Sequence, residues 1–488
     1  MVDDHQKAGA QISARAFWQS ALILLFLMLA AGLLTRVIPA GEYTRIIEDG
    51  RELILPNSFS FVEQPDYPVW RWLTAPVEVL WGPDAPTVIV IIIFLLMVGS
   101  AFAALDRSGI LTAAIGRLVQ AYGHRKYILL LVISFFFMLL GAFFGIFEEI
   151  VPLIPLMVAL AYMLGWDALV GLGMSILATN MGFSAAITNP FTIGVAQRLA
   201  QLPLFSGAWL RIFIFAAIYL VLALFLVRYA RRIERDPTAS PVYKLDAALR
   251  TRYRGQSATA VLLNDNQLAL RPATRWLLGS VGLIVLILLL SPLLPLLADI
   301  ALPLIGLIFL VGGLGAALRT GVGRAAVGRA TVEGLVGIAP SIPLILMAVS
   351  VKHIVATGGI LDTLLHGAAF AFGNAGPFAS AVMIYFLALG IEFFVASGSA
   401  KAFLLMPILV PLGDLVGVTR QVVVTAYCFG DGFSNLAYPT NPVLLISLGL
   451  TVVGYPTWIR WTAKLWLWIL LVTLFFLWLG VTIDYGPF

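Results

Sequence analysis

Glu148 and Glu149 stand side by side in a stretch that is otherwise apolar from Tyr127 to Leu164. An ionised carboxylate in hydrocarbon is costly unless it is paired or hydrated. Two such acids could carry a proton, ligate a cation or hold a substrate amine; the plainer alternative is that one faces an aqueous vestibule and caps a helix. A second kind of chemistry sits in Thr188-Asn189-Pro190, with Asn180 upstream, and in Pro439-Thr440-Asn441-Pro442, with Asn435 upstream. A proline inside a helix frees carbonyls of the preceding turn. Those carbonyls, with the hydroxyls and carboxamides, are hard ligands of the kind sodium accepts, while helix-end amides suit a carboxylate. The plainer reading is that Asn and Thr only satisfy the broken backbone. Ser397-Gly398-Ser399 makes a tight turn with two hydroxyls, Lys401 follows it, and Asp431 is a third acid in an apolar setting. Lys401 either joins an acid in holding the two charges of an amino acid or snorkels to a surface.

The candidate substrate-binding residues are therefore Glu148, Glu149, Thr188, Asn189, Ser397, Gly398, Ser399, Lys401, Asp431, Asn435, Thr440 and Asn441. Ion coupling is expected of Glu149, Asn180, Asn189, Asn435 and Asn441, with any sodium on Asn189, Asn441 and nearby carbonyls. His5, His124, His353 and His366 lack metal-ligand spacing, and Cys428 is the single cysteine. There is no nucleophile elbow, phosphate loop or dinucleotide fingerprint. The sequence reads as a non-enzyme with no cofactor beyond a coupling ion, sodium or proton, and no nucleic-acid partner.

The elements that position these residues belong in a membrane. Of 488 residues, 61% are apolar and 11% charged, and mean hydropathy is +0.99. Apolar runs long enough to span a bilayer recur near 17–38, 86–106, 208–230, 275–297, 301–318, 334–356 and 457–481. The first run reads as a retained signal anchor. Ten of the 30 basic residues fall between Arg228 and Arg275. Lys and Arg concentrate in cytoplasmic loops, so this stretch reads as a solvated cytoplasmic linker and the amino terminus as cytoplasmic.

Displacing the chain by 252 positions aligns Pro155–Pro190 with Pro407–Pro442 without a gap, nine of 36 positions being identical, Thr-Asn-Pro among them. Interrupted apolar segments at matching places in two halves point to a transporter binding site. The expected plan is a tail (1–16), a first repeat (17–230) with a re-entrant hairpin near 127–164 and a broken helix near 167–200, a basic linker (231–274) and a connecting helix (275–300). The second repeat (301–488) has its hairpin near 378–417 and its broken helix near 421–450. The positive-inside rule inverts the second repeat. The fold class is an all-α polytopic membrane protein with about nine spanning helices and two opposed hairpins.

PAGEY (Pro39–Tyr43), Glu148-Glu149, Asn189-Pro190-Phe191-Thr192, Ser397-Gly398-Ser399, Val416–Gln421 and the GDGFSN element before Pro439-Thr440 resemble the YfcC-type carriers of the ion transporter superfamily. DcuC-like dicarboxylate carriers and ArcD-like basic amino acid antiporters are neighbouring groups. The resemblance implies a homodimer in the inner membrane, an AbgT-type architecture and elevator movement of hairpins and broken helices. It also implies secondary transport of a small metabolite, an amino acid before a four-carbon dicarboxylate, with a channel or receptor as the rival class. Lys401 and Asn441 depart from the expected pattern.

Overall fold

The structure, a computed structural model, describes residues 14–48, 51–55, 58–83, 85–110, 119–120, 122–253, 271–290, 294–370 and 375–486. Most of the tail and linker residues 254–270 lie outside them. Helix dominates because a chain this apolar must pair its backbone polar groups internally. Helix α1 (Ala14–Val37) leads to two short antiparallel ribbons, β1 (Gly41–Glu42) with β4 (Ser60–Phe61) and β2 (Arg45–Glu48) with β3 (Arg51–Ile54). Then come α2 (Trp70–Glu78) and α3 (Ala85–Arg107).

Helix α4 (Lys126–Leu139) continues through a π turn, Leu140–Phe144, to Gly145, whose φ of +68° turns the chain. A 3-10 turn at Glu148–Leu153 feeds α5 (Ile154–Met163). Helix α6 runs from Ala168–Leu172 through a π turn at Gly173–Leu177 to Ala178–Ala185. After a break at 186–189 the chain resumes as α7, a π turn at Pro190–Gly194 followed by Val195–Leu199, and α8 (Ala208–Arg235) follows.

The later helices are α9 (Arg271–Leu290), α10 (Pro295–Leu318), α11 (Arg324–Ile338), α12 (Ser341–Thr357) and α13 (Leu361–Phe370). Helices α14 (Pro377–Glu392) and α15 (Gly398–Val416) flank the Ser397 turn. Helices α16 (Arg420–Ser434) and α17 (Pro442–Gly449) flank the second break, and α18 (Tyr455–Thr482) closes the chain.

Two packing groups emerge. Helix α3 lies on α10 and α11, α9 on α10, and α1 and α2 on α12. The other group joins α4 to α6, α14 to α16, α15 to α7, and α8 to α18. Among the described residues, nine helical stretches are long and apolar enough to cross a membrane. The number matches the expectation but the membership differs: the arms Gly123–Phe144 and Gly398–Val416 qualify, whereas Arg271–Leu290 and the pieces at 420–449 do not. Two boundaries also move. The described part of the connecting helix ends at Leu290, and the next helix starts at Pro295, a residue suited to the first helical position. The 334–356 run divides between α11 and α12 at Ala339-Pro340.

Among the described residues the basic linker keeps Arg231, Arg232, Arg235 and Lys244 exposed but is docked at several points. Asp167 caps α6 through Val170 N–H at 3.0 Å, and its other oxygen accepts from Tyr229 Oη at 2.5 Å and Ser240 Oγ at 2.6 Å. Farther along, Arg250 pairs with buried Asp246 at 2.9 Å. Arg252 and Tyr253 both reach Asp106 at the end of α3, at 2.9 and 3.0 Å, and the Tyr253 ring stacks on Tyr162 of α5. The linker thus spends two of its basic groups on acids of the chain.

Burial lifts the Asp246 carboxyl to about 7, with Asp167 adding to the rise and Arg250 opposing it. The docked linker therefore holds a proton that a free linker would release. Docking is strongest below the ordinary carboxylate range, weakens as pH rises toward about 7 and is level above it. Protease cleavage between 236 and 253 should be roughly tenfold slower at pH 5 than at pH 8, once corrected for protease activity, and Asp246→Asn should remove the difference. A wild-type linker cleaved equally at both pH values would contradict this.

Candidate functional site

The two helix breaks are built alike. Asn189 places its carboxamide oxygen 2.9 Å from Phe191 N–H and 3.3 Å from Thr192 N–H, capping α7. Its amide reaches back to the Phe183 carbonyl at 3.5 Å. Thr188 binds the hairpin turn, its N–H to Ala142 O at 3.1 Å and its hydroxyl to Phe143 O at 3.0 Å. Gly145 closes the fit, because a Cβ there would overlap the Asn189 oxygen. In the second break Asn441 accepts from Val443 N–H at 3.0 Å, capping α17, and donates to Asn435 Oδ1 at 3.1 Å. Both asparagines perform the backbone repair that was the plainer reading of the motif. Asn180 is different: it is fully buried, and neither its oxygen nor its nitrogen has a hydrogen-bond partner.

Arg211 of α8 is the residue that sequence reasoning missed at the first break. It is 1% exposed, and its guanidinium donates to the carbonyls of Ile187 (3.1 Å), Phe205 (3.1 Å) and Ser206 (2.9 Å). It collects the carbonyls that the broken helix and the following loop cannot pair. Its signal in the sequence, one base near the start of an apolar helix, is also that of an interfacial anchor.

The acids divide into two sets. Glu148 is exposed and Glu149 half-buried at the turn between the hairpin arms, where the Glu149 carboxylate accepts Phe147 N–H at 3.1 Å. That turn packs on α10 and α17. Lys401 and Asp431 lie elsewhere, together with Glu392, a second residue that the sequence reading passed over. The Lys401 ammonium contacts Glu392 Oε2 and stands 2.8 Å from Asp431 Oδ1, with all three side chains at most 1% exposed. Lys401 does not snorkel, and its charge is met by these acids, not by Glu149. The one signal of Glu392 in the sequence is a lone acid ending an apolar helix, which is also that of an interfacial group.

The halves meet where Gly432 lies against Ser184 and where Gly398 lies against both Thr192 and Asp431. Ser397 caps α15 by accepting Ala400 N–H at 3.4 Å, and the Gly398 carbonyl accepts the Tyr427 hydroxyl. Ser399, next to them, sits in the first turn of α15. A cavity of about 120 Å³ lies between the packing groups, lined by Val88 and Ile91 of α3, Lys352 of α12, Phe394 and Ser397 of the hairpin turn, and Thr440. The Thr440 hydroxyl has no hydrogen-bond partner within the protein. No group of three His, Cys, Asp or Glu among the described residues is placed to hold a metal ion.

The family described as DcuC, C4-dicarboxylate anaerobic carrier, matches residues 17–482. A similar protein of Escherichia coli K12, named "Putative basic amino acid antiporter YfcC", is 30% identical over 476 residues, 91% of this chain and 92% of that one. An uncharacterized protein of Haemophilus influenzae Rd is 27% identical over 76% of this chain and 71% of its own length. Among solved structures, the Alcanivorax borkumensis YdaH transporter is 19% identical with a TM-score of 0.42, covering 96% of this chain and 100% of that one. Neisseria gonorrhoeae MtrF, described within a class of antimetabolite efflux pumps, is 19% identical with a TM-score of 0.41, covering 95% and 94%.

If the asparagines are caps first, Asn189→Ala and Asn441→Ala should each cost about 1 kcal/mol of stability, and Asn189→Asp, which keeps the accepting oxygen, much less. Gly145→Ala should cost more than either, since it combines positive φ with a steric overlap. Thermal unfolding in detergent reads the order. Alanine variants as stable as wild type, with ion or substrate binding lost, would return the carboxamides to a ligand role.

Proposed function

Since the chain belongs to the C4-dicarboxylate anaerobic carrier family and is a multi-pass membrane transporter, we propose that it moves a basic amino acid by secondary active transport across the bacterial inner membrane. The observation that carries this reading is the pair Glu148-Glu149 at a hairpin turn resting on α17, near the break whose Thr440 hydroxyl is unpartnered. Carboxylates meet the substrate's amines, and Thr440 with the amide-bearing start of α17 meets its carboxylate. The relative named as a basic amino acid antiporter supports the same substrate class. Hairpins and broken helices, inverted between the repeats, move as a unit against the group formed by α1, α3 and α9 to α12. The carrier is a homodimer with its amino terminus in the cytoplasm. A four-carbon dicarboxylate is the second reading, favoured by the family description and by Lys352 in the cavity wall.

Counterflow in proteoliposomes tests both. Vesicles loaded with lysine, arginine or ornithine should take up the labelled amino acid with saturation, and vesicles loaded with succinate should not drive that uptake. Flux without saturation or exchange would indicate a channel, and succinate exchange alone would install the dicarboxylate reading. Glu149→Gln keeps an acceptor for Phe147 N–H and removes the charge. It should weaken apparent affinity for the amino acid roughly tenfold or more at every pH, with little change in thermal stability. Unaltered uptake would remove Glu149 from the site.

A further inference from the structure

Glu392, Lys401 and Asp431 come from three elements of the second half: the end of α14, the first turn of α15 and the last turn of α16. Extending the repeat offset places Leu140, Glu149 and Thr179 at the corresponding positions, so the first half has no such triad. All three groups are buried, yet Glu392 Oε1 and Asp431 Oδ2 have no hydrogen-bond partner. Oδ1 of Asp431, although 2.8 Å from Lys401 Nζ, is off the line of a hydrogen bond. Across the repeat boundary the Thr192 hydroxyl of α7 is also unpartnered, and a Cβ on Gly398 would stand 2.9 Å from Thr192 Cγ2 and 3.0 Å from Asp431 Oδ2.

Two carboxylates and a hydroxyl, gathered where two hairpin or break elements of one half meet one of the other, are the oxygen set that a small hard cation takes. Here the positive charge between the carboxylates is an ammonium on the chain itself. The other groups around the triad supply no competing cation. Tyr427 donates to the Gly398 carbonyl, and Cys428 is buried in the turn before Asp431. Arg211 is held by carbonyls on the far side of Cys428. Lys401 bridges both carboxylates, in the place between them that an inorganic cation would otherwise take.

We propose that Lys401 is a tethered counter-ion standing where a coupling sodium would otherwise bind, so that this protein is sodium-independent and the ion it exchanges at this triad is the proton. When Lys401 gives up its proton, the N–H electron pair stays on nitrogen and the triad becomes more negative by one charge. An arriving proton or a cationic substrate restores the balance. The role in transport rests on the carrier reading above; the ion specificity does not.

Thermal unfolding of the purified full chain in sodium chloride against choline chloride, at equal ionic strength and without substrate, tests this. Wild type should unfold at the same temperature in both salts. Lys401→Ala should be destabilised in choline and regain roughly 3 °C or more with sodium, whereas Lys401→Met combined with Glu392→Gln, which removes one charge of each sign, should show no sodium response. A sodium-specific rise in wild type would overturn the proposal, as would a folded Lys401→Ala protein indifferent to sodium. If Lys401→Ala does not fold, the wild-type result and the double variant decide: a sodium response in either overturns the proposal, and indifference in both supports it. Failure of amino acid counterflow with this ion pattern intact would overturn the substrate reading alone.

Discussion

A helix that stops inside an apolar medium leaves amides at one new end and carbonyls at the other, and no water arrives to bind them. Much of what is unusual in this chain answers that constraint. Asn189 takes two amides at the start of α7 and Asn441 one at the start of α17, Thr188 ties the first break to the neighbouring hairpin turn, and Arg211 gathers the stranded carbonyl of Ile187 with two from the next loop. The close approaches serve the same end. Gly141 and Gly182 let α4 and its π turn lie directly on α6, and Gly430 and Gly432 let α16 contact α14 and α6 through backbone.

Buried charge follows a parallel economy. Lys401 between Glu392 and Asp431 is tolerated because each charge removed from water meets another of opposite sign within contact distance. The same pairing operates at the linker, where Asp106 meets Arg252 and Asp246 meets Arg250.

The break positions were legible because proline and asparagine act on their own neighbours, within three or four residues. The Ser397 turn was legible for the same reason. Glu392 and Arg211 were not, since a lone acid or base in an apolar helix looks alike whether it anchors at an interface or pairs in the core. The answer for Lys401 is written 30 residues later, at Asp431. Long-range pairing also hid the docking of the linker: Arg252 and Tyr253 looked like solvated cytoplasmic charge and aromatic until Asp106, 146 and 147 positions away, came beside them. The start of α10 at Pro295 shifted for a local reason, the preference of proline for a first helical position, which a purely hydropathic reading does not weigh.

The docked linker also sets a mechanical limit. Ser240 holds it to Asp167 at the start of α6, and Arg252 and Tyr253 hold it to Asp106 at the end of α3, so one strand of chain is fastened to both packing groups. The eleven residues between Ser240 and Arg252 could let these fastenings part to roughly 40 Å if fully drawn out. Tyr253 touches Asp106 of α3 and Tyr162 of α5 together, so a stroke of one group past the other would first part Tyr253 from one of them, and the strap would uncoil only then: a spring with a latch at one end.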